Sequence, residues 1–179
     1  MTLPKTYAWL SRMTPLPRMI SAALAELGVR ETAGAANTTQ ILRWAVETGL
    51  NADYRADSIP WCGLFMAHIA RVAGREVPPA SLWALSWARF GIEGGQPELG
   101  AVLVFMRQGG GHVGLYIGED SRCYHVLGGN QGDRVLHYPH RQGAPLCRPP
   151  TALCKQAPLR RDLPPRRHRR GFLQRGLRP

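Results

Sequence analysis

Residues 63–74 read GLFMAHIARVAG, and this run constrains the chain more than any other. As a helix it is apolar on most of its circumference, so it has no face to give to water and has to lie at the centre of the fold. The rest of the chain must cover it. Upstream, the spacing predicts two amphipathic helices. Thr14-Pro15 opens the first, with proline near N1, where its missing N–H costs nothing. Leu16, Met19, Ile20, Ala23, Leu24 and Leu27 recur at three- and four-residue intervals, and Gly28 ends the helix. The second runs over 38–48 with Ile41, Leu42, Ala45 and Val46 inward, and Gly49 stops it. Ser81 caps a short helix over 82–90. After Gly94-Gly95 the period changes from 3.6 to 2: strands are expected over 101–106, 112–118, 123–127 and 134–138, with a turn at Glu119–Asp120–Ser121–Arg122. Helices first and an antiparallel sheet second is an α+β order.

Cys62 stands at the entrance of the apolar helix, where free N–H groups and the positive end of the helix dipole favour a thiolate and lower the thiol pKa. A lone cysteine in a core helix is more often a small buried hydrophobe; its place in the first turn is what marks this one. His112 follows Gly109-Gly110-Gly111 and opens a strand in which Val113, Leu115 and Ile117 face one way and His112, Gly114 and Tyr116 the other. A thiol on a helix N-terminus and an imidazole on the neighbouring sheet are what a cysteine hydrolase requires: the imidazole takes the thiol proton and returns it to the leaving amine. A third polar group must hold the imidazole by its other nitrogen.

Three segments in order, D-S-I-P-W-C-G-L-F (57–65), G-H-V-G-L-Y-I-G-E-D (111–120) and L-G-G-N-Q-G-D-R-V (127–135), resemble the papain-like peptidoglycan hydrolases of the NlpC-type and CHAP groups. They are nearest to a phage- and prophage-associated branch with W-C, G-H-V-G and L-G-G-N-Q. The resemblance spans roughly residues 15–135. It implies a papain-like domain, Cys62 as nucleophile and His112 as base, acting without a cofactor on a peptide or amide bond of murein. It offers Asn130 as the third catalytic member, with His125 and Gln131 as the other candidates. Asn130 is also ordinary turn chemistry after Gly128-Gly129. Asp57 is expected to cap the Cys62 helix or to touch substrate. Trp61, Trp83, Trp87 and Tyr116 are candidates to line a cleft or simply to fill the core. The same scaffold would also suit a cysteine acyltransferase or deamidase, or a binding module with a dead site.

The total charge of +11 points at first to nucleic acid. Its distribution weakens that inference and confines it to a tail-driven alternative. Lys155 and ten arginines stand against Asp162 alone in residues 136–179, giving this segment +10 and leaving +1 on residues 1–135. The segment also holds eight of the fifteen prolines. The expectation is a hydrolase domain over 1–135 and a disordered basic tail over 136–179. The Arg/Pro/Leu/His bias of the tail is what GC-rich coding DNA gives when read in another frame. Cys147 and Cys154 lack zinc-ligand spacing, as do Cys123 and His125, so no metal is expected. No apolar run approaches ~20 residues, which excludes a membrane span from the sequence. The N-terminus lacks the apolar core of a secretory signal. The reading is therefore a monomer made in the cytoplasm that reaches the wall through a holin, a secretion machine or lysis.

Overall fold

The computed structural model describes residues 5–93, 96–141 and 153–156; of Arg141 and 153–156 it describes the backbone. Its α-helices are α1 (Arg18–Ala25), α2 (Thr39–Thr48) and α3 (Cys62–Val72), and two 3-10 helices cover Lys5–Arg12 and Ala84–Arg89. The strands are β1 (Ile92–Glu93), β2 (Val102–Arg107), β3 (Gly110–Glu119), β4 (Cys123–Gly128), β5 (Leu136–Arg141) and β6 (Leu153–Gln156). They form one sheet in the order β1-β6-β2-β3-β4-β5, with every pair antiparallel. The class is thus mixed helix and strand, helices first. Among the described residues no helix is long and apolar enough to cross a membrane.

α3 is the buried helix that its composition demands: Cys62 through Ala70 are all buried. It packs on one face of the sheet, where Val102, Val104, Val113, Leu115, Ile117 and Leu127 project toward it. The other face carries a smaller cluster of Ala101, Leu103, Phe105 and Val126 flanked by Tyr116 and Tyr124. This two-sided burial follows from the unbroken apolar run of β2, whose first four residues are all buried. At the β3–β4 hairpin, Asp120 Oδ1 accepts the N–H groups of Arg122 and Cys123, and this side-chain turn closes the connection.

Several expectations shift. α1 begins at Arg18 with Pro17 as its N-cap, because Pro17 disfavours helical geometry at Leu16. In α2 the inward face is Ile41, Trp44 and Ala45, and Val46 is 64% exposed. Trp44 lies on Trp61 and Phe65, and this larger aromatic contact sets the helix rotation. Gly49 does end α2 in the left-handed conformation, φ 75°. The helix over 82–90 is reduced to the 3-10 turns of Ala84–Arg89, without a Ser81 side-chain cap. The boundary expected after Val135 falls before the last turn of the meander: Leu136–Arg141 pair along the whole of β4. Residues 153–156 pair with both β1 and β2. The rest of the expected tail, 142–152 and 157–179, lies outside the described residues, as does the side chain of Cys154.

Candidate active site

The site sits where β4 leaves β3. The ladder between these strands runs from Glu119–Tyr124 to Leu115–Leu127. Beyond it β3 continues back through Val113 and His112, while the chain after β4 turns through Gly129, Asn130 and Gln131. The N-terminus of α3 enters beside this turn. A side chain at position 129 would put its Cβ 2.6 Å from Phe65 Cβ and 2.7 Å from Trp61 Cζ3. Glycine is needed there for close approach to the residues that flank Cys62.

Cys62 is 6% exposed. The backbone N–H groups of Val113 and of the first turn of α3 lie beside its sulfur and favour the anion. Burial nevertheless pushes the thiol pKa up, against these donors and the nearby Arg107 charge. This corrects the expectation of a thiol acidified by its helix. Desolvation of the anion in an almost closed pocket outweighs the helix-end N–H groups.

His112 is 1% exposed and projects from the sheet beside its cross-strand partner Phe105. Burial holds its pKa well below the ordinary imidazole range; Arg107 and His140 add to this and Gln131 opposes it. The resting pair is therefore a neutral thiol and a neutral imidazole. Each has its own partners, and the two are linked through the His112–Val113 segment: the Val113 N–H lies beside the sulfur, and His112 Nε2–H donates to Gln131 Oε1 at 3.1 Å.

Gln131 is the candidate third residue that reaches His112. Its amide Nε2 donates to the carbonyls of Leu136 (2.6 Å), Val126 (3.2 Å) and Gly128 (3.4 Å). These three acceptors fix the amide orientation and leave Oε1 for the imidazoles. Asn130, the first-ranked candidate, takes the left-handed φ of 53° one residue earlier, the turn-forming role open to it from the start. His125 is committed elsewhere: Tyr7 Oη bonds its Nδ1, and its Nε2 bonds Asp120 Oδ2 at 2.9 Å.

The remaining candidates divide clearly. Asp57 is buried and accepts the N–H groups of Thr38 (2.7 Å) and Thr32 (3.1 Å). Burial alone would raise its pKa; these N–H donors leave it below the usual carboxylate value. Asp57 thus fastens the loop entering α2 and does not cap α3, whose N-cap is Trp61 without a side-chain bond. Trp61 is core, its Nε1 donating to Glu31 Oε2, and Trp87 is core with its Nε1 on Ser81 O. Tyr116 is half-buried against Tyr124 on the sheet face away from α3. Trp83 is 69% exposed on the segment that borders the site: Ser81 and Leu82 carbonyls lie against Gly63, and Leu85 covers Gly111.

Two neighbours escape the sequence reading. Arg107, at the end of β2, acts electrostatically on Cys62, His112 and His140 alike. His140 on β5 is buried, and its Nε2 donates to the same Gln131 Oε1 at 2.8 Å. Its signal was the alternation of Leu136, Tyr138 and His140, hidden by placing the boundary at Val135. No group of three or more His, Cys, Asp or Glu side chains among the described residues is arranged to hold a metal ion.

The chain was compared with protein-family models, curated proteins and solved structures, and none of them matches it.

Proposed function

We propose that this chain is a papain-like cysteine hydrolase that cleaves a peptide or amide bond of peptidoglycan. The observation that carries the reading is the meeting of a helix-entrance thiol, the peptide of a strand histidine and a glutamine that holds that histidine by Nε2. The motif resemblance supplies the substrate class. The chemistry follows from the groups present. With Nε2–H donated to Gln131, His112 Nδ1 is the basic nitrogen. It is the nitrogen that takes the Cys62 proton. The sulfur attacks the scissile carbonyl, and the backbone N–H groups around the thiol are the candidate donors to the oxyanion. The imidazolium gives its proton to the leaving amine. Water then hydrolyses the thioester, with His112 again accepting the proton.

A neutral resting pair suits this sequence, because proton transfer and attack are coupled and no buried thiolate has to persist. The test is lysis of purified sacculi by the wild type, Cys62→Ala and His112→Ala, with mass spectrometry of the released muropeptides. Loss of lysis in both folded variants is expected, and the muropeptide masses identify the bond. Equal lysis by Cys62→Ala would overturn the mechanism. Transfer of the acyl group to an added amine in place of water would identify an acyltransferase on this scaffold. Retention of sacculus binding without any turnover would identify a binding module.

A further inference from the structure

His140 is a second buried imidazole beside the first. Its ring stacks on His112 (centroids 5.0 Å, interplanar angle 25°) and on Phe105 (4.7 Å, 18°), and Tyr138 meets it edge-on (5.5 Å, 61°). Phe105 in turn stacks on His112 at 6.4 Å. One carbonyl oxygen, Gln131 Oε1, lies 2.8 Å from His140 Nε2 and 3.1 Å from His112 Nε2. An amide oxygen has two lone pairs, so two N–H donors saturate it. The glutamine cannot turn its amide over without losing three carbonyl acceptors. Both imidazoles are therefore assigned the Nε2–H tautomer.

We propose that His140 is a positioning residue for His112. It occupies the second lone pair of Gln131 Oε1 and buttresses the ring plane, so that His112 is held as the Nε2–H tautomer with Nδ1 available as the base. Without His140 the remaining lone pair has no donor, Gln131 is free to shift toward its carbonyl acceptors, and His112 can exchange tautomers. The catalytic consequence rests on the function proposed above; the tautomer does not.

The test is therefore two-armed, on the full chain. The first arm measures the ring nitrogen resonances of 15N-histidine-labelled protein at neutral pH, in wild type, His140→Phe and His140→Gln. Phenylalanine keeps the stack and removes the donor; glutamine keeps an N–H donor. In the wild type, His112 is expected to show a protonated Nε2 and an unprotonated Nδ1. In His140→Phe these signals move toward the average of two tautomers, and in His140→Gln they return. The second arm measures sacculus hydrolysis: His140→Phe lowers kcat about tenfold or more with KM unchanged, since only orientation is lost. If His140→Phe fails to fold, the glutamine variant and Gln131→Leu are read by the same resonances, with Gln131→Leu expected to mix the His112 tautomers. A His112 tautomer unchanged in His140→Phe, or in Gln131→Leu, overturns the proposal. A tautomer shift with no hydrolysis by any form, wild type included, sustains the positioning role and overturns the hydrolase reading instead.

Discussion

Gly128 and Gly129 are adjacent, and the structure assigns them opposite tolerance to a methyl group. A Cβ at 129 would lie 2.6 Å from Phe65 Cβ, 2.7 Å from Trp61 Cζ3 and 2.8 Å from Phe65 Cγ. Carbon atoms pack at about 3.5–4.0 Å, so the turn would have to retreat from α3 by about 1 Å. Overpacking of this kind costs about 1–3 kcal/mol. The same retreat carries Gln131 away from His112, whose 3.1 Å hydrogen bond has little length to spare. Activity should therefore fall further than stability, by about a hundredfold for a displacement of this size. At 128 the nearest atoms, Gln131 Cδ and Nε2 and the Val113 carbonyl, are all at 3.4 Å, ordinary contact. Neither glycine has a positive φ, so backbone strain does not enter. Gly128→Ala should cost under about 1 kcal/mol, and the lower entropy of its unfolded chain offsets part of that. Urea unfolding read by the fluorescence of buried Trp44 and Trp61, and independently by far-UV circular dichroism, gives the two values. A Gly128→Ala variant as damaged as Gly129→Ala would refute the packing argument.

Other outcomes follow from the buried groups. Burial lowers His140 to about 4, with Arg107 and His137 contributing. Its unfolded form binds a proton below about 6.5 while the folded form does not. Stability should thus fall as pH drops from about 6.5 to 4, by about 3 kcal/mol from this residue, and His140→Phe should flatten that slope in urea titrations at several pH values. Alkylation by iodoacetamide at pH 7.5, mapped by peptide mass spectrometry, should be slower at buried Cys62 than at half-buried Cys123, and Cys62 should gain reactivity well above pH 9. Asp57→Asn removes the charged acceptor for two loop N–H groups and should lower stability by about 1–3 kcal/mol, while the folded variant should match the wild type in the sacculus-lysis assay.

The parts of the fold legible in the sequence are those where one local pattern decides. The all-round apolar character of 63–74 required a central helix, and the period-2 runs of β2, β3 and β4 matched their strands to within a residue or two. The rotation of α2 was not legible, because Trp44 outcompetes Val46 only through contacts with Trp61 and Phe65, distant in sequence. At the site, Cys62 and His112 were singled out by position within their elements. The choice among Asn130, His125 and Gln131 was not decidable by spacing, since it turns on which side chain points inward from a turn. His140 was lost for a different reason: arginine and proline content describes a segment's average, whereas strand pairing responds to alternate residues. The acidity of Cys62 was misjudged because a helix end is visible in sequence and the depth of burial around it is not.

β6 lies between β1 and β2, although about fifty residues separate it from β2 along the chain. Among the described residues β1 joins the sheet by pairing with β6, so the Ile92–Glu93 strand is seated when residues 153–156 arrive. During synthesis the meander β2–β5 can assemble first, with one side of Val102–Val104 bare until β6 closes it. A chain stopped after Arg141 would keep every residue of the candidate site and still present that open strand edge, a template for a second chain. The late-made segment thus serves as a guard against self-association, and shortened forms should be judged first by their tendency to aggregate.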